Sequence, residues 1–95
     1  RLELYRRLSK ASDIQEVYSI EEEMEDRFGK LDIYTKQFIE LIIIKILALN
    51  LGIQNISSYE MNITFTKADE TKETIKSPSK DDDDIIATTL RYLRK

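Results

Sequence analysis

Positions 21 to 26 hold five carboxylates, and the run stops at Arg27, Phe28 and Gly29. Within it Glu23, Asp26 and Arg27 stand at i, i+3 and i+4, so on a helix they share a side. Carboxylates in this number repel one another. They are either well solvated or kept for a charged partner, and charge runs are usually the former. Orientation of a partner, not bond-making, is the chemistry such a set offers.

Other residues with chemical potential fare less well. The four aspartates 81 to 84 lack the alternating ligands and central glycine of a calcium loop. Successive helical positions also point apart, so a solvated helix start is the better reading. Arg6, Arg7 and Lys10 could meet a phosphate, but a solvated face on a short helix accounts for them. The five tyrosines are scattered singly, without the basic interleaving of a platform for single-stranded nucleic acid. There is no histidine and no cysteine. This removes ordinary zinc sites, disulfides, and serine or cysteine nucleophiles activated by histidine. With only Gly29 and Gly52, no glycine-rich phosphate loop exists. The expectation is a non-catalytic chain without metal or cofactor.

A length of 95 residues, 41% of them hydrophobic, predicts one small domain, residues 1–95, with a single modest core. The start at Arg1 predicts a piece of a longer polypeptide, and no secretory leader is visible. Net charge is −3, yet segregated: residues 13 to 26 hold seven acids and no base, whereas the first ten hold four bases against Glu3. An acidic balance disfavours nucleic-acid backbones and favours a basic protein partner.

The elements that must position these charges are legible from periodicity. In "RLELYRRLSKA" Leu4, Leu8 and Ala11 lie on one side with Tyr5, the spacing of an amphipathic helix. Ser12, three residues before Gln15, predicts the cap of a second helix, with Asp13 in its first turn. Gly29 closes that helix in a left-handed conformation. Val17, Ile20, Met24 and Phe28 form its apolar stripe, with Glu23, Asp26 and Arg27 opposite. Glu21 falls inside the stripe, which calls for a helix that is short, bent or covered only at its ends. A third helix over Ile33 to Leu51 is apolar on nearly every side from Phe38 onward. Glu40 and Lys45 interrupt it too soon for a membrane span, so it reads as the central core helix. Gly52 ends it, with Ile53 folding back onto the last turn.

Beyond Gly52 the period becomes two. Met61, Ile63 and Phe65 alternate with Asn62, Thr64 and Thr66, the mark of a strand with one buried face. Ile53 and Ile56 suggest a preceding strand and "KETIK" a third, with turns at Tyr59–Glu60 and Ala68–Glu70. Pro78 separates the sheet from a last helix that starts in aspartates and ends in Arg91, Arg94 and Lys95, as the helix dipole prefers. Ile86, Leu90 and Leu93 form its apolar face. The predicted class is α+β: three N-terminal helices, a small antiparallel sheet of two or three strands, and a C-terminal helix. The helical part covers 1–52, the strand part 53–77 and the last helix 80–95.

At this point a resemblance enters. "RLELYRRLSKA", an acidic helix ending "EMEDRFGKL", a long helix ending "LGI" and a strand "ITF" resemble the C-terminal domain of the transcription-repair coupling factors, the bacterial Mfd family. The similarity covers residues 1 to 66 in order and spacing. Two features depart from the family pattern. Asp32 stands where a proline usually follows "DRFGxL", and a short acidic, threonine-rich stretch replaces extra helical sequence after "ITF".

The resemblance implies a regulatory domain of a DNA translocase whose motor and polymerase-binding module lie elsewhere. It implies docking on the N-terminal UvrB-like module of the same protein, which masks the surface that recruits UvrA. Carried over to this sequence, the contact falls on Glu23, Asp26 and Arg27. The expected location is cytoplasmic, with neither direct nucleic-acid binding nor membrane attachment. One rival is a protein–protein adaptor in DNA repair or transcription, the other a helical nucleic-acid-binding domain.

Overall fold

The computed structural model describes residues 2–95 and is α+β. Its elements are α1 (Leu2–Lys10), α2 (Ile14–Phe28), α3 (Ile33–Asn50), β1 (Ile53–Tyr59), β2 (Asn62–Lys67), β3 (Lys72–Lys76) and α4 (Asp82–Leu93). They form two compact units, one ending at Ile46 and the other running Leu47–Lys95. Arg1, included in the predicted first helix, lies outside the described residues.

In the first unit Leu4 and Leu8 of α1, Val17, Ile20 and Met24 of α2, and Ile39, Ile42, Ile43 and Ile46 of α3 are buried. Each such side chain stabilises the fold by about 1.5–3 kcal/mol, which explains why α2 forms despite its crowded acids. Tyr5 joins α1 to α3 twice. Its ring meets Phe38 edge-on at 5.6 Å, and its hydroxyl shares a 3.0 Å hydrogen bond with the buried Thr35.

The start of α2 differs from expectation by one residue. The cap is Asp13, not Ser12: its extended backbone places the carboxylate to accept the Gln15 N–H at 3.1 Å. Gln15 is then only two residues past the cap, too close for the reciprocal pair predicted with Ser12. A charged cap also suits the positive end of the helix dipole better than a hydroxyl.

At the far end Gly29 has φ 79° and ψ −157°. That is not the left-handed helical geometry expected but a region open essentially to glycine alone. Its N–H still closes the helix on the Glu25 carbonyl at 2.9 Å. A larger departure concerns Phe28, which is 42% exposed and does not complete the buried stripe of Val17, Ile20 and Met24. It is the last residue of α2, beyond the reach of the cover that buries the earlier positions. Asp32 accepts the Thr35 N–H at 2.8 Å, so it starts α3 by capping where a proline would start it by a preset φ.

The second unit is a three-stranded antiparallel sheet in the order β1-β2-β3, followed in sequence by α4. "KETIK" is a strand, pairing Ile75 with Ile63 and Glu73 with Phe65. Ile63 and Phe65 are buried as expected, but Met61 is not. It sits in the turn with Glu60 at φ 57°, just before β2 begins at Asn62. The apolar alternation thus begins one residue before the strand itself does. The second hairpin turns at Glu70, φ 73°, where Asp69 accepts both the N–H and the hydroxyl of Thr71. On α4, Leu90 and Leu93 are buried with Thr88 and Thr89, while Ile86 is half-buried. No helix among the described residues is long and apolar enough to cross a membrane.

Candidate functional site

Glu23, Asp26 and Arg27 occupy the last two turns of α2, where the glycine stop and the capped start hold the helix in register. The structure joins two of the three. A guanidinium nitrogen of Arg27 lies 3.2 Å from the Glu23 carboxylate, an i, i+4 pair. Asp26 is exposed beside them.

Glu23 departs from the expectation that it projects away from the body of the unit. It is half-buried and turned toward α1, where Arg7 donates to both its oxygens at 3.0 and 3.2 Å. Arg7 and Arg27 therefore hold one carboxylate between two cations. With Asp26 included, the four groups sum to a net charge of zero at pH 7. The surface is an array of alternating charge, bordered by the exposed acids Glu22 and Glu25.

Arg7 is the residue that spacing alone did not join to the set. It lies 16 positions from Glu23, in another helix. The available signal was charge segregation: a basic first helix next to an acidic second one brings opposite charges together if the two pair.

A second electrostatic feature lies on the same helix. Glu21, inside the apolar stripe, is half-buried, and its pKa is raised above the ordinary 4.5. Burial is the main cause, with repulsion from Glu25 and Glu40 adding to it and Lys36 opposing. Four of the five acids in the run are thus distributed among different tasks. One pairs, one is partly desolvated, and Glu22 and Glu25 face solvent.

The aspartates 82 to 84 form the first turn of α4 after the cap residue Asp81. Asp84 accepts the Ser79 hydroxyl at 2.6 Å. Among the described residues no group of three or more acids is placed to hold a metal ion. Nothing in this set of groups assembles a nucleophile, a base and an oxyanion donor.

Comparison with known proteins agrees with the motif order. The family model of the TRCF domain matches residues 1–77. The transcription-repair-coupling factor of Helicobacter pylori is 54% identical over 94 residues, 99% of this chain and 9% of that protein. That of Rickettsia prowazekii is 32% identical over 83 residues, 84% of this chain and 7% of that protein. The chain spans less than a tenth of the length of these relatives. Both the family model, which covers most of the chain, and the identity across nearly all of it show that this chain belongs to the TRCF domain family of the transcription-repair coupling factors.

Proposed function

We propose that the domain is a non-catalytic regulator within a transcription-coupled repair translocase. In this reading it docks on the N-terminal UvrB-like module of the same protein and masks the UvrA-recruiting surface. The observation that carries it is the clamped array at the end of α2, in which Arg7 and Arg27 fix Glu23 beside the exposed Asp26. Side chains already held in one geometry lose less freedom on binding, which favours a defined contact over a diffuse one.

The array also sets the kind of contact. Alternating charge at a rim gives orientation and partner choice more than affinity. Little affinity is needed, because a domain tethered to its target meets it at high effective concentration. Release when the motor engages polymerase then requires only a modest shift between docked and undocked populations. The cytoplasm is the setting such a task implies.

The test is UvrA binding by the full-length protein and by a Glu23→Ala, Asp26→Ala, Arg27→Ala variant, at two salt concentrations. The variant is expected to bind UvrA more readily while the isolated domain melts nearly as before. Equal UvrA binding with unchanged melting would remove the docking role and leave the adaptor reading.

A further inference from the structure

Helix α3 is apolar on two sides, and only one of them is fully covered. Ile39, Ile42, Ile43 and Ile46 are buried in the first unit. On the opposite side Ile33, Tyr34, Gln37, Leu41 and Ile44 fall within about 100° of one another, at about 100° per residue. Ile33, Tyr34 and Leu41 are 55%, 79% and 51% exposed, and Ile44 is half-buried. A helix apolar all round is normally enclosed all round. Three large open side chains in one stripe therefore mark a surface that lacks its cover.

The charges beside the stripe narrow what can cover it. From Ile33 to Ile46 the charged residues are Lys36, Glu40 and Lys45, so this length of α3 is close to neutral where α2 is strongly acidic. Lys45 is turned to α1, where it donates to the Ser9 carbonyl at 3.4 Å. Lys36 and Glu40 flank the other side of the stripe, and neither is held in a salt bridge among the described residues. Within its own chain Lys36 attracts Glu21, and Glu40 repels it. One arrangement satisfies all these positions. When a second α3 lies antiparallel across the stripe, with the two-fold axis near position 38, Lys36 faces Glu40 of the second copy and Glu40 faces its Lys36. The same register sets Tyr34 against Leu41 and Ile33 against Ile44, each pair twice. A parallel pair would instead set like charge against like.

We infer that the open stripe of α3 is a contact between two copies of this chain, an antiparallel helix pair closed by reciprocal Lys36–Glu40 bridges. A contact of three helical turns lies at the low end of specific interfaces, below about 1,200 Å² in total, so the dimer is weak and reversible. A partner of one-sided charge fits less well, because it would leave either Lys36 or Glu40 facing its own sign. The inference stands apart from the docking role of α2, whose charged array is built by α1 and α2 alone.

It is tested on the chain itself by sedimentation equilibrium from about 10 μM to about 1 mM, a range that spans weak self-association. The wild type is expected to pass from monomer to dimer within it. Leu41→Glu, at an exposed position, should weaken dimerisation at least about tenfold and leave the melting curve in place. Lys36→Glu and Glu40→Lys should each weaken it about threefold to tenfold, because each sets like charges opposite one another. An equimolar mixture of these two variants should recover the dimer, since opposite charges then meet at both bridges. Melting curves of the charge variants, taken alongside, report that each is folded. A chain that stays monomeric at about 1 mM, a dimer indifferent to Leu41→Glu, or a mixture that associates no better than its components would each overturn the inference.

Discussion

Arg7 of α1 and Glu23 of α2 are joined by a single guanidinium nitrogen that donates to both carboxylate oxygens, while Arg27 approaches one of those oxygens from the next turn. Glu23 is therefore a member of a three-residue network and not a lone surface acid. The side chains of Arg7 and Glu23 are 45% and 31% exposed, so solvent and salt screen the pair. Arg7→Ala is expected to destabilise the domain by less than about 1 kcal/mol. A double-mutant cycle with Glu23→Ala should return a coupling of about 0.2–1 kcal/mol that shrinks as salt is added. Urea melts of the four proteins at two ionic strengths measure it. A coupling of zero at low salt would mean that the network does not persist in solution.

The exposure of Phe28 changes what its removal should do. A fully buried phenylalanine replaced by alanine costs about 3–5 kcal/mol. With 42% of Phe28 open to water, Phe28→Ala is expected to cost about 1–2 kcal/mol. Met24→Ala, at a fully buried position one turn earlier, should cost more, in the range of about 2–5 kcal/mol. The two denaturant midpoints compared in one buffer decide the ranking. Equal losses would place Phe28 in the core.

What sequence patterns disclosed and what they hid follow from how far each signal reaches. Val17, Ile20 and Met24 lie in the middle of a helix, where periodicity and burial coincide. Phe28 obeys the same period, but the helix ends there, and a period says nothing about where the covering layer stops. Met61 fails for the same reason at the start of β2. The third strand, weak in "KETIK", is secured by its pairing with β2, a non-local interaction that local composition understates. Glu23, Asp26 and Arg27 were legible as a set because their spacing is intrahelical. Arg7 completes the set only through the packing of α1 against α2.

Gly29 supplies a sharper test of backbone chemistry. A side chain added there would meet no atom within 4 Å, so a substitution clashes with nothing. Its φ of 79° with ψ −157° is nevertheless strained for any residue with a Cβ. Gly29→Ala is expected to destabilise by about 1–3 kcal/mol through the backbone alone. The ionic network one turn earlier should survive, leaving the Arg7–Glu23 coupling intact. A neutral effect in a thermal melt would show that the chain can close α2 by another geometry.

Glu21 makes a prediction about pH with a definite sign. Its folded-state pKa is raised, chiefly by burial and then by Glu25 and Glu40, so the folded state favours the protonated form. The stabilisation that protonation gives is fully present below the ordinary value of 4.5 and is lost as pH rises through the elevated folded value. Glu21→Gln keeps the shape and hydrogen-bonding capacity but removes the titration. The variant and wild type should therefore match in stability below that window, and the variant should become the more stable of the two above it. Melting temperatures of the two proteins across the acid range give the answer. A difference between Glu21→Gln and wild type that stays constant with pH would show that the Glu21 carboxyl is solvated, and that the acid-rich helix carries its stripe acid without cost.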